Sequence, residues 1–206
     1  MTSSMTGYEL IQFANRFFRE QTESLTSYVR LCIRCGVPHL GFIYCLTFLN
    51  VLGSFYGGDL DRSSGQGGIT EPARKYMADL MQYSRQNVNL IQKIFGQNTI
   101  NILQPKPLTF ERESRRYISW KLLPNYEEKD QHLTLIKHSK SRRIKSLGGR
   151  MLSYDYTLRL SLPQLLEEIL NSIYKKRSGY LHLLKSDTRV RKNFHKAISP
   201  IYEPKL

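Results

Sequence analysis

Little in this sequence supports a disulfide scaffold, a bilayer span or a surface of evenly mixed charge. Three cysteines, Cys32, Cys35 and Cys45, are too few for a disulfide framework and fit a reducing, cytoplasmic compartment. Cys32 and Cys35 form a CxxC, but zinc needs a second ligand pair, and no other cysteine or histidine stands at suitable spacing. A redox CxxC opens a helix after a strand, whereas this one closes an amphipathic segment, so packing cysteines are expected. The first ten residues, MTSSMTGYEL, have neither a basic region nor an apolar core, and no secretory signal is expected there. The most apolar run, 40–56 (LGFIYCLTFLNVLGSFY), contains Thr47, Asn50 and Ser54 and lacks flanking basic clusters. It suits a helix buried on all sides better than a membrane span.

Acidic residues are also missing where basic ones crowd. Residues 1–104 carry 9 basic and 7 acidic side chains, and residues 105–206 carry 22 and 10, so nearly all of the net charge of +14 lies in the second half. The run 137–150 (KHSKSRRIKSLGGR) holds six Lys or Arg and no Asp or Glu. Such a field attracts polyanions, and a phosphate backbone is the commonest polyanion in a cytosol. A solvated face or an anionic membrane surface is the competing reading.

Periodicity divides the chain into a helical half, a strand-rich segment and a closing helical part. Leu10, Ala14, Phe17, Leu25, Tyr28, Val29 and Cys32 predict an amphipathic helix. Gly36 and Pro38 end it and start the apolar one. Residues 57–68 (GGDLDRSSGQGG) are a loop by composition. They lack the Lys-Ser or Lys-Thr of a P-loop, and they miss a calcium loop by the position of one glycine and one carboxylate. Thr70, Glu71 and Pro72 open a third helix through about Tyr83, and a fourth through about Phe95 carries Val88, Ile91 and Ile94. Beyond Pro105 the period changes to that of strands. A hairpin flanks ERESRR, with Leu108 and Phe110 on one arm and Tyr117, Ile118 and Trp120 on the other. Two further strands are expected at 133–136 and 154–160, with a turn at Gly148-Gly149. Leu162, Leu165, Leu166, Ile169, Leu170 and Ile173 then mark a closing helix, with Ser161 and Gln164 as its capping box. The expected fold is mainly α: a helical bundle (1–104), a basic antiparallel sheet (105–160), and a closing helix with a basic tail packed on the bundle (161–206).

The segment 89–107 (NLIQKIFGQNTINILQPKP) resembles the last bundle helix of the HEPN superfamily, helical domains of prokaryotic toxins, defence proteins and RNA-processing enzymes. In many members an apolar helix leads to an Arg and, a few residues on, a His. Some bacterial members continue with Pro-Lys, a small sheet and a closing helix, the order seen here through Pro105 and Lys106. The resemblance spans roughly residues 8–185 and implies an RNA-directed function in a homodimer, with an antitoxin or defence-complex protein as a possible partner. It also implies metal-independent RNA cleavage in members with the full motif, where the histidine handles protons and the arginine holds phosphate. This chain places Gly96 and Asn101 at those positions, so the implied site is degenerate.

Other Arg/His pairs at similar spacing are Arg34 with His39, Arg177 with His182, and Arg189 with His195. They keep open an active ribonuclease, and a basic scaffold subunit is a third reading. The candidate nucleic-acid contacts are Arg112, Arg115, Arg116, Lys137, Lys140, Arg142, Arg143, Lys145 and Arg150. Tyr117, Trp120, Tyr154 and Tyr156 are interleaved with several of these and with Lys121, as suits stacking on unpaired bases. No cofactor or metal is expected.

Overall fold

The computed structural model describes residues 6–58, 69–83, 108–109, 117–123, 133–145 and 151–202. The class is mainly α. Helix α1 (Gly7–Arg34) opens on a capping box that the sequence reading did not identify: Thr6 Oγ1 accepts from the Glu9 N–H at 3.3 Å, and Glu9 Oε2 accepts from the Thr6 N–H at 2.7 Å. Its buried stripe is Leu10, Ala14, Phe18, Thr22, Leu25, Val29 and Cys32. The spacing of three and four runs straight through Thr22, which puts Phe18 rather than Phe17 at the centre of the stripe. Thr22 meets the helix and its neighbour at once, because its hydroxyl bonds Phe18 O at 2.7 Å and the Tyr174 hydroxyl at 2.8 Å. Tyr28, expected in the core, is exposed and packs on Tyr44 with ring centroids 4.6 Å apart. Of the CxxC pair only Cys32 is buried; Cys35 falls in the turn after α1 and is exposed.

Helix α2 (Pro38–Gly57) is the long apolar run, and it begins at proline as expected. It is long and apolar enough to cross a membrane, yet more than half of that stretch is buried inside the bundle. Phe42, Leu46, Leu49 and Leu52 have no exposed surface. Helix α2 is not buried on all sides as expected: α1, α3 (Glu71–Leu80) and the closing helices pack around it, while Leu40, Tyr44 and Thr47 mark a side left exposed. Thr70 caps α3 as predicted, and Asn50 on α2 holds that cap by accepting from the Thr70 N–H at 2.9 Å. Here the two backbones nearly touch: a Cβ on Gly53 would stand 2.3 Å from the Ala73 backbone.

Among the described residues four strands follow: β1 (Leu108–Thr109), β2 (Tyr117–Leu123), β3 (Leu133–Lys145) and β4 (Met151–Ser161), in the order β1-β2-β4-β3. The hairpin around 110–116 is antiparallel, with Leu108 opposite Ile118. The β3–β4 pair is antiparallel too, but β2 runs parallel to β4, so the sheet is mixed rather than wholly antiparallel. The connection 124–132 explains why. Nine residues reach up to about 30 Å, ample to carry β3 two strand spacings away and leave room for β4 between. Register then gathers Ile118, Trp120, Leu122, Leu133, Leu135, Leu158 and Leu160 onto one face. At the inner end of that face Leu160 is buried, and β4 runs directly into the next helix.

That helix, α4 (Leu162–Tyr174), buries Leu162, Leu165, Leu166, Ile169 and Ile173. Its expected capping box does not form, since the Ser161 side chain makes no capping hydrogen bond. Ser161 is still the last paired residue of β4, opposite Leu123, and is buried; Pro163 in the first turn also removes one N–H that a cap would serve. The basic tail forms two more helices, α5 (Tyr180–Ser186) and α6 (Thr188–Tyr202). They complete the core through an aromatic cluster. Phe194 lies 5.2 Å from Phe55, 6.0 Å from Phe18 and 6.4 Å from Tyr180 between ring centroids, with tilted or edge-on rings. The fourth helix expected near Phe95, the loop 59–68, the turn at Gly148-Gly149 and residues Gly96 and Asn101 lie outside the described residues.

Two outcomes follow. An exposed helical glycine changed to alanine gains roughly 0.5–1 kcal/mol, but Gly53→Ala should lower stability, because backbone and not a movable side chain stands in the way. Urea unfolding showing a gain would refute the close approach. Burial, foremost, raises the phenols of Tyr76, Tyr83 and Tyr180. The folded chain therefore holds protons that the unfolded chain releases above about pH 10. Stability from these groups is complete below that pH and falls as pH rises through the folded values. Phenolate absorbance should show these tyrosines titrating only together with loss of far-ultraviolet helicity.

Candidate functional site: a basic edge strand and a polar cleft

Strand β3 carries most of the basic run, and among the described residues it lies at the edge of the sheet, paired with β4. Five of its residues, Lys137, Lys140, Arg142, Arg143 and Lys145, are Lys or Arg, and none is Asp or Glu. Apolar character in the sequence marks only 133–136 as strand, because the pattern fades where the charges begin. Pairing continues nonetheless, with Arg142 opposite Tyr154, Arg143 opposite Ser153 and Lys145 opposite Met151. Parallel pairing with β2 ends at Tyr154, so among the described residues the outer end of β3–β4 is a two-stranded ribbon.

The register breaks once. Lys137 stands opposite Tyr156 and Arg142 opposite Tyr154, so 138–141 face the single residue Asp155. That is a wide bulge on the free edge, and bulges re-aim side chains and twist an edge outward. Ser139 and Lys140 within it, and Arg142 and Arg143 just after it, are exposed. The register also sets a cation beside a tyrosine twice, at Lys137/Tyr156 and Arg142/Tyr154. Arg112, Arg115, Arg116 and Arg150 lie outside the described residues.

The three Arg/His pairs fall at helix ends and on α6. Arg34 is exposed in the last turn of α1, while His39 is half-buried in the first turn of α2, its imidazole held below the ordinary value by burial. Arg177 is exposed in the turn before α5, and His182 is half-buried beyond Gly179 within it. Arg189 and His195 share α6, but six residues place them on different sides of a helix.

Arg189 does take part in another arrangement that sequence reading missed. A cleft of about 270 Å³ opens where the end of α2, the side of α3 and the start of α6 meet. Tyr56, Lys75, Asp79, Asp187, Arg189 and Asn193 supply its polar groups. Tyr56 donates its hydroxyl to Asp79 Oδ2 at 2.9 Å. Burial, then the neighbouring Asp79, push the Tyr56 phenol up to about 12, so it stays a neutral donor at physiological pH. Asn193 Nδ2 donates to Tyr56 O at 2.8 Å and locks α6 against the end of α2. Gly58 makes room for this contact: its φ is 76°, and a Cβ there would meet Asn193 at 3.0 Å. Asp187 Oδ1 accepts from the Arg189 N–H at 2.7 Å and the Val190 N–H at 3.3 Å, capping α6. Among the described residues, neither Lys75 nor Arg189 has an ion-pair partner. These groups come from three distant segments, and no local motif announces them. No group of His, Cys, Asp or Glu able to hold a metal ion occurs among the described residues.

Compared with known proteins, the chain matches no family model, no curated protein and no solved structure.

Arg191 and Arg189 separate structural from available cations. The Arg191 guanidinium is half-buried and donates to Leu184 O at 3.0 Å and Lys185 O at 2.6 Å, closing the end of α5. Arg191→Ala should cost about 1–2 kcal/mol through these lost charge-assisted bonds. Arg189→Ala should leave the melting temperature unchanged. Thermal unfolding of the two variants checks the distinction, and equal effects would contradict it.

Proposed function

We propose that the protein binds RNA by its phosphate backbone along β3. The carrying observation is the exposure of Lys140, Arg142 and Arg143 on an edge strand that contains no acidic residue. Like charges this close repel one another unless a polyanion or solvent screens them, and a strand spaces them at about 3.3 Å per residue, a scale suited to successive phosphates. Each guanidinium grips phosphate through two parallel donors. Tyr156 shares the apolar register face with Leu158 and Leu160, but Tyr154, opposite Arg142 toward the outer end of the sheet, suits stacking on an unpaired base, which favours single-stranded RNA over duplex DNA. The HEPN-like layout adds a prokaryotic toxin, antiviral-defence or RNA-processing setting to the proposal. With Gly96 and Asn101 at the motif positions the protein holds RNA without cutting it.

Charges on an edge strand also guard against edge-to-edge association. A guard needs one or two, not five on one strand, and the experiment separates the roles. Arg142→Ala/Arg143→Ala should weaken binding to unrelated single-stranded RNAs by a similar factor. The slope of log affinity against log salt should flatten by about 1.4, two contacts at about 0.7 each. Unchanged RNA affinity together with self-association of the variant would make the strand a guard only.

A further inference from the structure

The cleft at the junction of α2, α3 and α6 is independent of β3, and its chemistry is specific enough to suggest a ligand class. Its donors outnumber its engaged acceptors. Lys75 and Arg189 have no ion-pair partner among the described residues, and both line the cleft. Neither cation forms an ion pair with the two carboxylates that share the cleft, Asp79 and Asp187. Asp79 accepts the Tyr56 hydroxyl, and one oxygen of Asp187 is occupied by two backbone N–H groups of α6. Those same bonds close the first N–H groups of α6, so an anion here is held by side chains and not by the helix end.

Size and lining narrow the choice. At about 270 Å³ the cleft lies just under the range of about 300–1,000 Å³ that holds drug-sized molecules. Among the described lining residues the one aromatic is Tyr56. The Tyr56 ring is packed edge-on against Tyr76 and Tyr180, at centroid distances of 5.8 and 6.2 Å. The fitting ligand is small, polar and dianionic, with hydroxyl donors for the second oxygens of Asp79 and Asp187.

We propose that this cleft binds a terminal sugar phosphate: the phosphomonoester between Lys75 and Arg189, the sugar hydroxyls on Asp79 and Asp187. The tyrosine hydroxyl fixes the Asp79 carboxylate, and Asn193 fixes Tyr56 by its backbone oxygen, so the acceptor side of the site is organised before ligand arrives. Two sources share this chemistry, a free sugar phosphate and the phosphorylated end of an RNA strand. Binding of the free compound does not depend on the β3 reading.

Calorimetric titration of the whole chain with ribose 5-phosphate, and separately with inorganic phosphate, tests the site. Ribose 5-phosphate should bind, and inorganic phosphate more weakly by about tenfold or more for want of hydroxyl donors. Arg189→Ala should weaken ribose 5-phosphate by about tenfold or more with melting temperature unchanged, and Asp79→Ala should erase the preference over inorganic phosphate. Arg142→Ala/Arg143→Ala should leave this binding as in wild type, which separates failure of the cleft from failure of β3. A single-stranded RNA with a 5′-phosphate that binds tighter than its 5′-hydroxyl form, with the difference lost in Arg189→Ala, identifies the RNA end as the source. No such difference, with ribose 5-phosphate still bound, identifies the free compound. No binding of ribose 5-phosphate at millimolar concentration, or binding indifferent to Arg189→Ala, overturns the proposal.

Discussion

Burial of α2 is the constraint on which the rest of the molecule depends. A helix this apolar has little to offer water, so most of it is covered, while Leu40, Tyr44 and Thr47 mark a side that stays exposed. Helix α1 covers one flank with its stripe from Leu10 to Cys32, α3 approaches through Gly53 and Ala73, and α4 and α6 pack on further sides. Phe18, Phe55, Tyr180 and Phe194, drawn from four helices, meet with tilted or edge-on rings and fill the space these crossings leave. The helices needed to cover α2 are also those whose ends make the polar cleft, so core and cleft are set by the same geometry.

The sheet is organised by a different requirement. Its apolar positions collect on one register face and its inner end merges into α4, while β3 runs out along the free edge. Charge follows this division. The cations of α5 and α6 are partly engaged in structure, as Arg191 shows, whereas Arg142 and Arg143 are exposed. An exposed cation on an edge strand is open to a long, flexible polyanion, which is why the RNA proposal rests on the strand and not on total charge.

How far the sequence foretells this structure depends on how local the signal is. The break at Gly36 and Pro38, the cap at Thr70 and the burial of Leu46 and Leu49 were legible, because turn chemistry and apolar runs act over a few residues. Phe18 was missed because Thr22 interrupts the apolar stripe to the eye though not to the helix. The tail hides Val190, Phe194, Ala197 and Ile198 among basic residues, yet their spacing of four, three and one is that of a buried helical face. The parallel pairing of β2 with β4 could not be read, since a nine-residue connection leaves strand order open. Of the site, the cations of β3 were visible in composition, but their strand and bulge were not. The cleft was invisible, since Tyr56, Asp79 and Arg189 meet only through the packing of three helices.

Amide hydrogen exchange across the chain, with and without single-stranded RNA, tests the central claim most directly, because it locates the bound surface without altering it. Residues 133–145 should gain protection on adding RNA at low salt and lose it again at high salt, while the amides of α1 and α2 stay as they were. Protection confined to the helical half, or none anywhere at saturating RNA, would contradict the account.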